Sequence, residues 1–425
     1  MAKTLIISNF DNYFTIVKTM LIFELLSQYE SICRMAMSGC AAKLNKSIKT
    51  NIIEILILIM AITGKINFLQ LGRYGKRGEQ CYRQTFNREF DWLQFNMNLA
   101  ANRYQYGGRR LAVAIDPSYV SKAGKKTAHV GRFWSGCASA VKHGLEILGI
   151  GLIDADLKDC MMLRAVQTLG NGELKAMDMT LNQWYIAVLK RYASQLRKMT
   201  DVVVADAAFS VKPFVDDLRG IGFHLVSRLR NDAALFYLYQ GERTGKRGRP
   251  KKFDGKIDFN NLDLGRMTEV NIGIKGEKAY EMVAHSKALG RDIKLVVHML
   301  KDGSHRLYFS TDTEMSGIDV FDIYRTRFQI EFCFRDGHQF TGLRDCQARD
   351  EKRLDFAFNA SFAAVNVVKT MRKIHQMDNS IGQIKSLMVN AYLLQRIICV
   401  SGIDPNTILN AKLVKELFGI TARTA

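Results

Sequence analysis

The sequence predicts an α/β protein in which a mixed β-sheet is flanked by helical regions. Three observations support this fold class. Apolar residues recur at helical spacing over about residues 1–105. Short apolar, β-branched runs then alternate with amphipathic helices up to about residue 230. Short strands separated by Gly, Asp and Lys turns follow over 231–310, and helical spacing returns to the end of the chain.

These changes of pattern predict five regions. They are a helical region (1–106), the first part of an α/β core (107–230), a β-rich insertion (231–310), the second part of the core (311–375) and a helical C-terminal region (376–425).

The charge of the chain indicates a polyanionic partner. Sixty-one Lys and Arg residues oppose 41 Asp and Glu, which gives a net charge of +20. Nucleic acid is the first candidate, an anionic membrane surface is the second, and a merely basic solvated surface remains open. The longest apolar run, Ile52–Thr63, is too short to span a bilayer and predicts a buried helix. With no recognisable signal peptide and no CxxC pair, we expect a cytoplasmic protein with reduced cysteines.

A basic, aromatic segment in the first helical region is a candidate DNA contact. The stretch Gly72–Phe86 places Arg77 and Arg83 close to two tyrosines after a glycine turn. Such a short helix is suited to a DNA groove. The alternative is a solvated surface helix, and composition alone leaves both open.

The order of elements in the first part of the core predicts how its strands are arranged. The run LAVAID (Leu111–Asp116) is followed by two strands joined near Asp154–Lys158, and then by a helix over Asp178–Thr200. DVVVAD (Asp201–Asp206), a helix and a further strand complete the series. Strand, strand, strand, helix, strand, helix, strand is the order of a ribonuclease-H-like core, in which the first and fourth strands are neighbours.

The insertion combines predicted strands with a strongly basic segment. GKRGRPKKFDGK (Gly245–Lys256) is broken by Gly and Pro, and Arg249 and Lys251 could contact phosphates while the segment lies in a minor groove. A charged hairpin loop is the alternative. The predicted strands are Val270–Ile274, Ala279–His285, Ile293–Leu300 and His305–Ser310. The helices predicted after them are Gly317–Phe340, Leu354–His375, Ile381–Val400 and one near Asn406–Phe418.

Two aspartates and one glutamate are the candidate chemical groups. Asp116 and Asp206 each close an apolar run, and on adjacent strands they would emerge at one edge of the sheet. Glu331 lies in YRTRFQIEFCFRDGHQF. If that stretch is one continuous helix, Glu331 shares a narrow stripe with four other polar side chains. These are Tyr324, Arg327, Arg335 and His338.

Converging carboxylates repel one another, which indicates what could bind between them. At about 5 Å and an effective dielectric constant near 20, each pair costs about 3 kcal/mol. Hard divalent cations, Mg²⁺ or Mn²⁺, would neutralise the cluster, and two such ions suit phosphoryl transfer on DNA. Taken singly, each acid also fits a purely structural role: the aspartates as helix caps or turn formers, and Glu331 as half of a salt bridge.

The stretch Tyr324-x2-Arg327-x3-Glu331 resembles the Y-x2-R-x3-E-x6-K signature of bacterial insertion-sequence transposases of family four, a branch of the DDE transposases. AIDPS around Asp116 and VVVADAAFSVKPFVDDLRGIGFHLVSRLR around Asp206 resemble family segments in the same order. The similarity extends over about residues 111–366.

This resemblance implies a function and a role for each residue. Asp116, Asp206 and Glu331 would be the catalytic, metal-binding triad, and Tyr324 and Arg327 would contact or position DNA. The activity would be cut-and-paste transposition: metal-dependent cleavage at transposon ends, then strand transfer into target DNA. The helical region 1–106 would bind the DNA end, and the two parts of the core would carry out the catalysis. A homodimer would act on paired ends in the bacterial cytoplasm, associated with the nucleoid and not with a membrane.

The sequence departs from the family pattern at two places. The lysine seven residues after Glu331 is replaced by His338, so Arg335 is the alternative phosphate contact. The three tryptophans, Trp92, Trp134 and Trp184, all lie outside the insertion, where some family members use a Trp to hold a flipped base. Two other functions stay open: a catalytically inactive, transposase-derived DNA-binding protein, and a ribonuclease-H-like nuclease or resolvase.

Overall fold

The computed structural model describes residues 24–40, 44–242 and 250–401, and these form two compact units. One unit is built from residues up to Arg103 together with those from Phe334 onward, and the other comprises Tyr104–Cys333. The predicted helix near Asn406–Phe418 and the predicted contact Arg249 lie outside the described residues.

The described residues form twelve helices and twelve strands. The helices are α1 (24–36), α2 (Lys46–Ala61), α3 (Phe68–Tyr74), α4 (Glu79–Thr85), α5 (Trp92–Tyr104), α6 (Asn171–Ala176), α7 (Leu181–Leu196), α8 (Lys212–Gly220), α9 (Gly317–Thr326), α10 (Gln329–Phe340), α11 (Glu351–Ile374) and α12 (Ile381–Ser401). The strands are β1 (Leu111–Ser121), β2 (Gly131–Ser135), β3 (Ala140–Asp154), β4 (Asp159–Gln167), β5 (Val202–Val204), β6 (His224–Leu229), β7 (Leu235–Leu238), β8 (Phe253–Lys256), β9 (Thr268–Val270), β10 (Lys278–Ser286), β11 (Arg291–Met299) and β12 (His305–Ser310).

Helix α11 is the core of the helical unit. It begins where the Asp350 carboxylate accepts a hydrogen bond from the Arg353 amide, and it is buried from Phe358 to Met371. Its buried Asn366 donates to Asn96 of α5 at 2.9 Å. The apolar run Ile52–Thr63, predicted to be a buried helix, is helical and largely buried in α2 as far as Ala61, where the helix ends. In the described part of the chain, no helix is long and apolar enough to cross a bilayer.

The first strands of the other unit form a mixed sheet in the order β4-β3-β1-β5-β6. β1 is antiparallel to β3 and parallel to β5, and β5 is parallel to β6. The prediction that the first and fourth predicted strands are neighbours is therefore confirmed. This arrangement of sheet and helices is compatible with a ribonuclease-H-like fold.

The β-rich segment extends this sheet. β12 is antiparallel to β6, and β11, β10, β7 and β8 follow in order, with β9 on β10. Three of the four predicted strands are observed with small shifts of their ends, as β10, β11 and β12. The predicted strand Val270–Ile274 is wrong beyond Val270, because β9 covers Thr268–Val270 and ends there. β2, β7 and β8 were not predicted, because their four or five residues are too few for a clear alternation of apolar and polar side chains.

Two local features differ from the sequence prediction. β1 does not end at Asp116 but continues through Pro117 to Ser121 along β3. Proline is tolerated there because the ladder to β5 covers only Val113 and Ala114, so the missing N–H costs no hydrogen bond to β5.

The predicted continuous helix over Gly317–Phe340 is wrong, since it is divided between α9 and α10 at Arg327 and Phe328. The amides of Ile330 and Glu331 bond to carbonyls three residues back, which overwinds the chain at this point. The predicted stripe of five polar side chains is therefore split between two helices.

Candidate active site

The register of the sheet places Asp116 beside Asp206. In the parallel pair β1–β5, Ala114 lies opposite Val204. Each aspartate follows two residues after its member of this pair, so the same step along both strands brings the carboxylates to neighbouring positions. Adjacent strands are about 4.8 Å apart, which sets the scale of the separation.

Asp206 is held at the point where β5 ends. Its carboxylate accepts a hydrogen bond from the Ala207 amide at 2.7 Å and begins a short 3₁₀ turn. The buried Ser227 hydroxyl contacts the carbonyl oxygens of Ala205 and Asp206 at 2.9 and 3.1 Å. The backbone is therefore fixed while the Asp206 side chain remains exposed to solvent.

Glu331 lies in the first turn of α10, on a helix that is anchored to the sheet. Ile330 is fully buried, and a Cβ placed on Gly151 of β3 would lie 3.4 Å from it. The Cys333 thiol donates to the Cys160 carbonyl oxygen at 3.3 Å. These contacts hold the helix while the Glu331 side chain is 56% exposed.

Arg327 lies between two of the three acids. Its guanidinium is 3.7 Å from Asp116 and 3.4 Å from Glu331 and is largely buried. The guanidinium also lies 6.0 Å from the centre of the Tyr324 ring, which packs on Tyr308 at 5.0 Å. Arg327 therefore neutralises part of the negative charge, and the helix break at this residue sets its position.

The acids interact electrostatically. The pKa of Asp116 is raised to about 7: burial is the largest cause, Arg327 opposes it, and the charges of Glu331, Asp206 and Glu146 add to it. Negative charge at this edge of the sheet is thus only partly balanced. That is the electrostatic condition under which a cation binds.

The donor set fits a hard divalent cation by chemistry and by charge, since it consists of carboxylate oxygens with an unbalanced negative charge. Among the residues that the structure describes, however, no group of three His, Cys, Asp or Glu side chains is close enough to hold an ion. The Arg327 guanidinium contacts both Asp116 and Glu331, so both contacts must loosen before these acids share an ion.

Sequence reasoning missed Glu146, a fourth acid beside the site. It is buried in β3 and accepts a hydrogen bond from the Tyr185 hydroxyl at 2.7 Å. Burial raises the pKa of Glu146, while the hydrogen bond from Tyr185 lowers it. Its signal in the sequence was a lone acid inside the apolar run GLEILGIGLID.

Sequence reasoning also missed Arg228, a cation of β6. It is half-buried and lies opposite Tyr308 in the β6–β12 pair. The pKa of Tyr324 is raised by burial, lowered by Arg327, raised by Asp206 and lowered by Arg228, which places Arg228 among these groups. A polar residue inside an apolar strand was the available signal.

Two of the predicted DNA contacts, Arg335 and His338, lie in the helical unit. Arg335 is exposed and forms an ion pair with Asp336 at 3.1 Å. His338 is half-buried, and its pKa is lowered to about 4, chiefly by burial and also by the charge of Arg344, against the opposing effect of Asp345. The imidazole is therefore neutral at pH 7, unlike the lysine that the signature has at this position.

The remaining predicted DNA contacts differ in their exposure and in their ion pairs within the protein. Arg77 is exposed in the turn before α4. Arg83 forms an ion pair with Glu79 and lies 4.7 Å over the Phe68 ring, which fits a structural role as well as a DNA contact. Lys251 is exposed and pairs with Asp254 at 3.0 Å.

Comparison with known proteins gives a match to a family model. Residues 182–367 match the model described as a transposase DDE domain, a region that contains Asp206 and Glu331 but begins after Asp116. No curated protein matches the chain. The chain is thus similar to DDE transposases over this region, and the match supports a transposase that acts on DNA.

Proposed function

We propose that this chain is an insertion-sequence transposase that cuts DNA at transposon ends and joins the freed 3′ ends to target DNA. The observation that carries the proposal is the placement of Asp116 beside Asp206, with Arg327 linking Asp116 to Glu331. The match to the transposase DDE domain supports it independently. The bacterial family four, whose signature Tyr324, Arg327 and Glu331 resemble, is the proposed subgroup.

The three acids are proposed to hold two Mg²⁺ or Mn²⁺ ions. Bound there, such ions activate an attacking hydroxyl and stabilise the leaving oxygen of an in-line phosphoryl displacement. The residues of the chain would then position the DNA. Arg327 and Arg228 would bind phosphates on either side of Tyr324, because neither guanidinium has a bidentate carboxylate partner among the described residues.

The rest of the proposed DNA path is electrostatic. Arg77, Arg83, Lys251 and Arg335 would contact phosphates distant from the cut, with Arg249 as a further contact outside the described residues. His338 would add a hydrogen bond and no charge at neutral pH. A homodimer acting on paired ends in the bacterial cytoplasm, at the nucleoid, completes the proposal.

A cleavage assay tests this proposal. The full chain is incubated with Mg²⁺ or Mn²⁺ and a duplex taken from the border of its own element. Asp116→Asn, Asp206→Asn and Glu331→Gln should each lower cleavage by on the order of 10³-fold or more. Asp232→Asn is the matched control, because Asp232 is an exposed acid paired only with Arg230 in the described structure, and it should cut like the wild type.

The products distinguish the alternative functions. Wild-type protein that cuts and also yields joined strand-transfer product supports a transposase. Cleavage without any joined product indicates a nuclease or resolvase. Salt-dependent DNA binding with no cleavage in either metal indicates an inactive DNA-binding protein.

A further inference from the structure

The hairpin formed by β2 and β3 exposes an aromatic residue that no role in the proposed chemistry explains. Trp134 is 60% exposed, and its cross-strand partner Val141 is 50% exposed. Tryptophan and valine are usually buried, and an adjacent exposed pair is characteristic of a binding surface.

The charge around this pair identifies the kind of partner. From Pro117 to Leu145 the sequence contains five Lys or Arg residues and no Asp or Glu. Arg132 lies opposite His143 in the hairpin, two residues from the Trp134–Val141 pair. Because side chains alternate along a strand, these four exposed residues share one face of the hairpin. An apolar pair beside Arg132, in a segment that carries positive charge and no acid, is complementary to DNA.

The hairpin is fixed to the strand that carries Asp116. The Tyr119 hydroxyl of β1 donates to the His143 carbonyl oxygen at 2.7 Å. Gly144 lies at the base of the hairpin, where a Cβ would be 2.6 Å from the Tyr119 ring, so only glycine allows this close approach. The hairpin therefore has a defined position relative to the acids.

The register also gives the distance. Gly149 is the partner of Asp116, and Val141 lies eight residues before it on the continuous strand β3. At about 3.3 Å per residue, the exposed pair is about 26 Å from Asp116 along the strand. At 3.4 Å per base pair, this corresponds to about eight base pairs of B-form DNA.

We propose that the β2–β3 hairpin enters the major groove of the DNA that is held at the active site. The groove admits a two-stranded β-ribbon. Trp134 and Val141 would contact base edges and thymine methyl groups, while Arg132 binds a phosphate. This inference rests on the proposed function only in taking DNA as the partner, since the contact requires no chemistry.

Tryptophan fluorescence provides a direct test. The other two tryptophans are the fully buried Trp92 and the partly buried Trp184, so the change on binding reports mainly on Trp134. Full-length protein is titrated with mixed-sequence duplex DNA in buffer without divalent cations. We expect the emission of the wild type to change on binding, and Trp134→Phe to remove most of that change.

Affinity and footprint sharpen the test. Trp134→Ala should weaken binding by at least about fivefold while leaving its salt dependence unchanged. Arg132→Gln should lower the salt slope by about one unit. Leu264→Ala removes an exposed apolar side chain elsewhere and should change neither quantity. On a duplex from the element's border, protection about eight base pairs from the cut should disappear in Trp134→Ala.

The outcomes separate this inference from the proposed function. If the protein cuts DNA normally but its emission is unchanged by DNA, the hairpin proposal is wrong and the transposase proposal stands. If DNA changes the emission of a protein that never cuts DNA, the hairpin proposal stands and the transposase proposal is wrong. A wild-type emission that depends on protein concentration without DNA would show the indole covered by a second copy, which also overturns the proposal.

Discussion

Two regions of the same sheet differ in how their carboxylates are balanced by cations: the edge that carries Asp116 and Asp206, which is the candidate active-site edge, and the β-rich extension. In the extension, Asp254 lies 3.0 Å from both Lys251 and Arg266, and hydrogen bonds from these cations lower its pKa. At the active-site edge, burial raises the pKa of Asp116 to about 7, and Arg327 offsets only part of that effect. Asp254 thus has two cationic partners, whereas Asp116 shares one, Arg327, with Glu331.

Other acids of the extension also lie next to a basic side chain, as Asp254 does. Glu277 contacts the buried His298 at 2.8 Å, and Glu281 lies 3.5 Å from Lys294. Each of these acids has a basic partner, as is usual where charge only supports the fold. An excess of carboxylates over cations therefore distinguishes a site that is prepared for a ligand.

Among the substitutions that compare these two regions, replacing Arg327 should produce the largest effect. In the metal-free protein, Arg327→Gln should cost about 1–3 kcal/mol of unfolding free energy, because a mostly buried Asp116 loses its cation. Mg²⁺ should restore more stability to this variant than it adds to the wild type. Cleavage of DNA should fall on the order of 100-fold, as a phosphate contact is lost. Thermal unfolding with and without Mg²⁺ and the cleavage assay measure both effects.

Arg266→Gln is the matched control for that experiment, since Arg266 pairs with Asp254 and Asp263 in the extension. It should lower stability by the same amount with and without Mg²⁺ and leave cleavage unchanged. An equal response of both variants to Mg²⁺ would remove the distinction between the two regions.

Replacing Asp116 should change how stability depends on pH. The folded-state pKa, about 7, lies above the ordinary value of 3.8, so between these values the folded protein binds the proton more tightly than the unfolded chain. Stability of the metal-free protein should therefore decrease as pH rises from about 4 to 7, with the full penalty present above 7. Asp116→Asn should match the wild type near pH 4 and exceed it by about 1–3 kcal/mol at pH 8.

Asp254→Asn is the control with the opposite sign. The pKa of Asp254 is lowered on folding, so its contribution is present above the ordinary pKa and is lost as pH falls. This variant should be less stable than the wild type at pH 8 and approach it in acid. Parallel pH profiles for the two variants, measured by urea unfolding, would contradict the comparison.

The smallest loss of stability among these predictions is expected at Tyr185, whose hydroxyl bonds to Glu146 beside the candidate site. Tyr185→Phe should cost about 1–2 kcal/mol, because the buried Glu146 carboxylate loses the hydrogen bond that the Tyr185 hydroxyl donates. Tyr280→Phe, which removes a hydroxyl from a partly exposed tyrosine of the extension, should stay within about 0.5 kcal/mol. Urea unfolding distinguishes them, and equal losses would mean that the Tyr185–Glu146 bond contributes nothing specific.

Much of the fold could be predicted because its helices and strands follow from the spacing of apolar residues over short stretches of the chain. The apolar runs ending in Asp116 and Asp206 predicted strands, and alternation with helices predicted a mixed sheet in which β1 and β5 are neighbours. Helical spacing predicted α2 and α11 within a few residues. The three acids could be selected because each stands in an unusual context for its residue type.

The rest could not be predicted because it depends on contacts between residues far apart in the chain. No periodicity reveals that β12 pairs with β6, which makes the predicted insertion part of the same sheet. The break between α9 and α10 was not predicted either, because the helical spacing of the side chains, 100° per residue, continues through Arg327 without a Gly or Pro.

The sequence by itself determined most of the elements, the basic charge and the three candidate acids, since these follow from residue type and short-range spacing. Only the tertiary structure decided that Glu146 lies behind Asp116, that Arg327 lies between Asp116 and Glu331, and that Trp134 is left exposed. Those facts depend on strand register and packing, where a shift of one residue exchanges the two faces of a strand. Local propensity does not encode such long-range pairings.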